Sequence, residues 1–168
     1  MAWRAWLISS GGIPGRWPEV DVWRPSVTVA AVIERDGKFL FVEELQDGRR
    51  VLNQPAGHLD PDETLIAACA REVMEETAHR FEPTGLVGIY RWHYEPADVT
   101  FLRFCFAGQV SGLENTPLDK EILALHWLTP AELKAQSSMH RSPLVQQCLD
   151  DHLRGSNFSL DLLSKAYG

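Results

Sequence analysis

Residues 63–77 read ETLIAACAREVMEET and contain neither Gly nor Pro, only a dense run of helix formers. The segments on both sides have strand character. This contrast constrains the fold most: one helix must sit inside a succession of strands. Upstream, Val27–Ile33 is β-branched and apolar, Asp36-Gly37 follows, and Lys38–Val42 is apolar again. Two such runs around Asp-Gly predict a β-hairpin. A second turn at Asp47-Gly48 leads into Arg50–Leu52 and then Gln54-Pro55-Ala56-Gly57. Downstream, Leu86–Tyr94 and Val99–Val110 read as long strands separated by Pro96, with a shorter strand at Leu123–Leu128. Thr129-Pro130 opens a short helix as cap and first helical residue. Ser142-Pro143 opens another running to Leu153, and Ser159–Ala166 reads as a last one. The order β-β-β-α-β-β-β-α-α predicts an α/β domain, a mixed sheet flanked by helices.

A length of 168 residues fits one domain, and 45% apolar with 23% charged residues fits a globular chain. Four of the six Trp (Trp3, Trp6, Trp17, Trp23) crowd the first 23 residues, beside Gly11, Gly12, Pro14, Gly15 and Pro18. Residues 1–24 are therefore expected to form an irregular arm, with the folded domain spanning 25–168. Cys69, Cys105 and Cys148 are widely spaced and odd in number, which gives no disulfide framework and no CxxC pair. The six His show no zinc-type pairing. A reducing cytoplasm is the expected location, and no apolar run is long enough for a membrane span. The net charge of −7 argues against a nucleic-acid partner. It leaves room for a small phosphorylated substrate if something else supplies positive charge.

Most of that charge is local. Asp60, Asp62, Glu63, Glu72, Glu75, Glu76 and Glu82 are opposed only by Arg71 and Arg80. Asp60 or Asp62 is the expected N-cap of the helix, with Glu63 favourable in its first turn. Glu72, Glu75 and Glu76 stand at i, i+3 and i+4 on one helix face, where exposed like charges cost about 0.2–0.5 kcal/mol per pair. Such a face is either simply solvated or holds a hard divalent cation, which takes oxygen ligands. The cluster directly follows a strand and the turn Pro55-Ala56-Gly57-His58-Leu59, a junction where backbone groups approach a ligand.

Gly57, then Glu63, then Arg71-Glu72-Val73-Met74-Glu75-Glu76 resembles the Nudix box, G-x5-E-x7-R-E-U-x-E-E-x-G-U, with U a bulky aliphatic residue. Every position matches through Glu76. The pattern's last Gly is Ala78 here, and its last aliphatic is His79. Two outcomes are open: Ala78 keeps the left-handed cap at a cost of about 1 kcal/mol, or the helix runs on through Ala78-His79-Arg80. Neither moves the glutamates. Asn53–Leu59, Thr100–Phe104 and Arg141–Val145 further resemble the bacterial NudJ phosphatase subgroup of that family.

The resemblance implies an α/β/α sandwich and Mg²⁺-dependent hydrolysis, with Mn²⁺ as a substitute. The implied substrates are nucleoside di- and triphosphates and thiamine-related pyrophosphates, chiefly hydroxymethylpyrimidine diphosphate, with release of inorganic phosphate. It implies Glu72, Glu75 and Glu76 as metal ligands with the Gly57 carbonyl, and an Arg71–Glu63 ion pair that holds helix and loop together. The general base is Glu76, Glu72 or Glu121. Trp92, His93 and Tyr94 end a strand beyond the box and either stack on a base or pack in the core. Arg103, unusual in an apolar run, either reaches the terminal phosphate or lies on a solvated sheet face. Gln54 and Arg141 are further candidates for substrate contact, with His140 beside Arg141, and His58 stands behind the box Gly.

Within the family the rival substrate is an ADP-ribose-type diphosphate. A rival of another class is an inactive nucleotide-binding regulator, which the retention of all three glutamates disfavours. A monomer or homodimer is expected. The subgroup resemblance begins near Val22, so an alternative start there is the expected native beginning, and the charge would remain −7 without residues 1–21.

Overall fold

The computed structural model describes residues 23–163. Residues 1–22 and 164–168 lie outside them, so the arm, the proposed start at Val22 and the end of the last predicted helix fall there in whole or in part. In chain order the elements are β1 (Ser26–Arg35), β2 (Lys38–Gln46), β3 (Arg49–Asn53), β4 (Ala56–His58), α1 (Leu65–Thr77), β5 (His79–Tyr94), β6 (Val99–Leu113), β7 (Ile122–Leu128), α2 (Pro130–Ala135) and α3 (Leu144–Leu153).

Both Asp-Gly turns form as expected. Asp36 and Gly37 have φ of 52° and 71°, and Asp47 and Gly48 have 50° and 75°, as a two-residue turn matched to strand twist requires. The first hairpin is short, because β1 and β2 pair only at Glu34–Phe39 and Arg35–Lys38. Beyond that the strands part. β1 runs parallel to β6 and takes β4 on its other edge, whereas β2 takes β3 and β7. The result is a mixed seven-stranded sheet with the path β3-β2-β1-β6-β5. β4 was not anticipated. Its three residues, read as part of a turn, pair with Thr28–Ala30 of β1.

Alternate residues of β1 serve two cores. Val29, Ala31 and Ile33 pack with Leu40, Phe106 and the α1 residues Ala68, Cys69 and Val73. Ala30 and Val32 pack with Phe39, Phe41, Leu133 of α2, and Leu144, Val145, Cys148 and Leu149 of α3. Helices thus cover opposite faces of the sheet, the α/β/α arrangement expected. Each fully buried Leu or Val in these layers contributes about 1.5–3 kcal/mol. The three cysteines are free and buried. No helix among the described residues is long and apolar enough to cross a membrane.

Both ends of α1 bear on the site. The N-cap is Thr64, whose Oγ1 accepts from the Ala67 N–H at 3.1 Å. This corrects the expectation of Asp60 or Asp62 and moves Glu63 out of the first turn. The hydroxyl sits at cap distance, while the Glu63 carboxylate is taken by Arg71 and the Asp60 N–H. At the other end Ala78 holds φ 55° and ψ 25° and donates its N–H to Met74 O. The chain therefore keeps the left-handed cap despite the β-carbon, and the helix stops short of the run through Arg80. The capping box at Thr129 and Glu132 starts α2. Where a last helix was expected over 159–166, the described residues 159–163 form only the short 3-10 turn Leu160–Leu162.

Candidate active site

The glutamates of α1 do not share one environment. Glu76 is buried, and its Oε2 accepts from the Ala56 N–H of β4 at 2.9 Å. Burial pushes its carboxyl up to about 8, against that hydrogen bond and with the help of the nearby Glu44 and Glu72 charges. Glu72 is also raised by burial, with Arg71 opposing. Glu75 is half exposed, and Arg71 Nη1 reaches its carboxylate at 3.1 Å.

Arg71 is the hub of this wall. Its Nε and Nη2 grip the two Glu63 oxygens at 3.1 and 2.7 Å, Nη1 meets Glu72 at 2.7 Å, and Nη2 also donates to His58 O at 3.0 Å. The fork pulls Glu63 below the usual carboxylate range. The Arg71–Glu63 pair thus fastens the loop after β4 to α1, as the family resemblance implied. Arg71→Lys keeps the charge and loses the fork. Urea unfolding is expected to show about 1–2 kcal/mol less stability, and an unchanged midpoint would contradict this reading.

Gly57 lies against Glu72 so closely that a β-carbon on it would stand 2.1 Å from Glu72 Cδ. The loop before β7 closes the other rim. The Asp119 N–H donates to Glu75 O at 2.8 Å, and the Glu121 N–H donates to Asp119 Oδ1 at 3.3 Å.

These groups meet in one cavity of about 340 Å³. Glu72, Glu76, Gly57 and His58 line one side, and Asp119 and Glu121 its rim. Trp92, Tyr94, Phe101, Arg103 and Arg141 line the rest, together with Thr28, Glu44, Asn53 and Ser142. Trp92 stacks on Phe101 with centroids 5.6 Å apart and planes at 19°, and Tyr94 lies 5.4 Å from Trp92. An aromatic shelf therefore faces the carboxylate wall.

Gln54, Glu75 and His140, expected at the site, fall outside this cavity. Gln54 is buried, with Nε2 donating to Val145 O at 2.8 Å, so it ties the β3–β4 segment to α3 instead of facing a substrate. Glu75 is turned to Arg71. His140 is likewise used internally, bonded to Leu133 O at 3.0 Å. Glu44 was missed altogether. It is buried in β2 and receives Arg141 Nη1 at 2.5 Å, which pins the loop before α3. Its signal was the pair Glu43-Glu44 at the end of the apolar run of β2.

The donor set fits a hard cation. It is all oxygen, Glu44 Oε1 is buried without a partner, and burial raises the Glu76 carboxyl despite its hydrogen bond from Ala56. Among the described residues no three acidic, His or Cys side chains already converge as a ligand set. Arg71 Nη1 occupies one oxygen each of Glu72 and Glu75 at 2.7 and 3.1 Å.

Comparison with known proteins gives a consistent picture. The family described as NUDIX domain matches residues 22–148. Phosphatase NudJ of Escherichia coli strain K12 is 39% identical over 143 residues, 84% of this chain and 92% of that protein. A NUDIX hydrolase from Nitrosomonas europaea superimposes with a TM-score of 0.82 at 48% identity, covering 84% of this chain and 97% of that one. A bifunctional NMN adenylyltransferase/ADP ribose pyrophosphatase from Francisella tularensis, complexed with AMP and Mn ion, shares the fold at a TM-score of 0.59 and 18% identity, over 84% of this chain and 44% of that one.

Proposed function

This chain belongs to the Nudix family as a hydrolase of the NudJ phosphatase type, and from that premise we propose that it hydrolyses nucleoside di- and triphosphates and thiamine-related pyrophosphates with Mg²⁺. Hydroxymethylpyrimidine diphosphate is the foremost substrate, and inorganic phosphate is released. The observation that carries this reading is the single cavity in which the α1 carboxylates face the Trp92–Phe101 shelf. A volume of about 340 Å³ is at the small end for ligand pockets and suits one heterocycle with a diphosphate.

Glu72, Glu75 and Glu76, with the Gly57 carbonyl, would hold Mg²⁺, and Mn²⁺ is an acceptable substitute. When bound, the cation supplies charge neutralisation at the phosphates and a polarised water. Glu76, Glu72 or Glu121 takes the proton as the water oxygen bonds to phosphorus. The bond to the bridging oxygen breaks, and that oxygen leaves with the remainder of the substrate. Trp92 and Tyr94 hold the ring by stacking, and Arg141 contacts the phosphates from the loop before α3. Arg71 and Glu63 keep helix and loop in register. The protein acts in the cytoplasm as a monomer or homodimer, without nucleic-acid or membrane partners.

The test is a substrate panel with excess Mg²⁺. Hydroxymethylpyrimidine diphosphate is expected to give at least about tenfold higher kcat/KM than ADP-ribose, a difference of about 1.4 kcal/mol in transition-state binding. A preference for ADP-ribose would overturn the substrate assignment while leaving the family intact.

A further inference from the structure

The cavity wall made by β1 and β6 carries polar groups that nothing in the protein satisfies. Thr28 Oγ1, Ser142 Oγ and the Nε and Nη1 of Arg103 are buried, line the cavity, and have no hydrogen-bond partner among the described residues. Arg103 is the exceptional one. It is a cation 8% exposed, and a charge held that deeply is costly unless paired. Among the described residues no carboxylate comes within 4.0 Å of its guanidinium, and Glu44 of the cavity wall is paired through Oε2 with Arg141.

Sheet register assembles the neighbours. Arg103 of β6 pairs with Thr28 of β1, and Thr28 pairs with His58 of β4. Paired residues project to the same face, so an imidazole, a hydroxyl and a guanidinium form one row across three strands. Two residues along β6 on that same face is Phe101, paired with Trp92, so the row lies beside the aromatic shelf.

We propose that Arg103 and Thr28 form a metal-independent oxyanion seat, which takes the terminal phosphoryl group of the substrate and retains orthophosphate after hydrolysis. The unpartnered Nε and Nη1 donors of the guanidinium suit phosphate oxygens, which accept charge-assisted hydrogen bonds. The Thr28 hydroxyl donates a further bond, and Ser142 closes the seat from the α3 side. Water could satisfy the donors but not the charge. The identity of the bound group rests on the phosphohydrolase reading above, whereas the seat itself rests on the unpaired cation.

The experiment uses the full chain in EDTA at matched ionic strength, with calorimetric titration of sodium phosphate and then of a nucleoside diphosphate. The wild type is expected to bind orthophosphate and to release it competitively to the diphosphate. Arg103→Met is expected to weaken phosphate binding about 10- to 100-fold, the size of a lost charge-assisted hydrogen bond. Its melting temperature without phosphate is expected to rise, since the stem still packs and the buried charge is gone. If that variant does not fold, Thr28→Val serves instead, with about 3- to 10-fold weaker phosphate binding. Equal phosphate affinity in wild type and variant, or no phosphate binding by the wild type, would overturn the seat. Phosphate binding through Arg103 with no turnover of any pyrophosphate keeps the seat and removes the proposed function. Turnover with phosphate binding indifferent to Arg103 does the reverse.

Discussion

Glu76→Gln is expected to lower phosphate release by about 10²–10⁴-fold at saturating Mg²⁺, the range for losing an acid–base or charge-holding group at the reacting centre. The fold should persist, because a Gln carbonyl can still accept from the Ala56 N–H that Glu76 Oε2 now holds at 2.9 Å. Stability should move the opposite way from activity. The folded Glu76 carboxyl sits at about 8 against an ordinary 4.5. Between those values the native state keeps a proton that the unfolded chain has released. The stability tied to that proton is complete below 4.5, falls as pH rises through the interval, and stays lost above about 8. Gln has no such term. In EDTA the variant should match the wild type at acid pH and exceed it by on the order of a few kcal/mol at pH above 8. Urea midpoints across pH read this directly. Unchanged turnover would remove Glu76 from the reaction, and parallel stability profiles would remove its burial cost.

The same glutamate marks the limit of what the sequence can disclose. Helical spacing places Glu72, Glu75 and Glu76 on one face, and the box pattern adds Gly57, Glu63 and Arg71. These are local relations within one turn and one helix, and they survive into the structure except that Glu75 turns to Arg71 and away from the cavity. The elements read well where local chemistry dominates: two Asp-Gly turns, the Thr129 cap, the long strands on either side of Pro96. They read poorly where a tertiary partner decides. Ala56-Gly57-His58 becomes a strand only because β1 offers an open edge. Gln54 looked like a polar reader of substrate, but Val145 O, 91 positions away, claims it. Thr64 displaced two aspartates as cap because Glu63 and Arg71 had already fixed the preceding loop. Glu44 and Thr28 entered the site from strands whose patterns show only burial. Their role exists once β2 and β1 part after a two-residue ladder and a cavity opens with polar groups on its walls.

Gly57→Ala should separate folding from chemistry more sharply than any glutamate substitution. Gly57 has no positive φ, so Ala meets no backbone strain at this position, and its pairing with Val29 is a main-chain matter. The obstacle is the Glu72 carboxylate, whose Cδ, Oε1 and Oε2 would lie 2.1–2.2 Å from the new β-carbon. That carboxylate is the end of a flexible side chain and can swing aside, so global stability is expected to change by no more than about 1 kcal/mol. Swinging aside breaks the 2.7 Å contact with Arg71 and takes a proposed ligand out of the cavity. A displacement of about 1 Å at a reacting centre costs about 10²-fold, so turnover is expected to fall by at least that factor while the urea midpoint holds. Glu72→Gln supplies the check on cause. If Gly57→Ala acts by moving Glu72, the double variant should be scarcely slower than Glu72→Gln alone, because both changes disable one group. Multiplicative losses would mean that the β-carbon acts elsewhere, on the Gly57 carbonyl or the strand itself. Full activity in the single variant would mean that the position of Glu72 does not matter to the reaction.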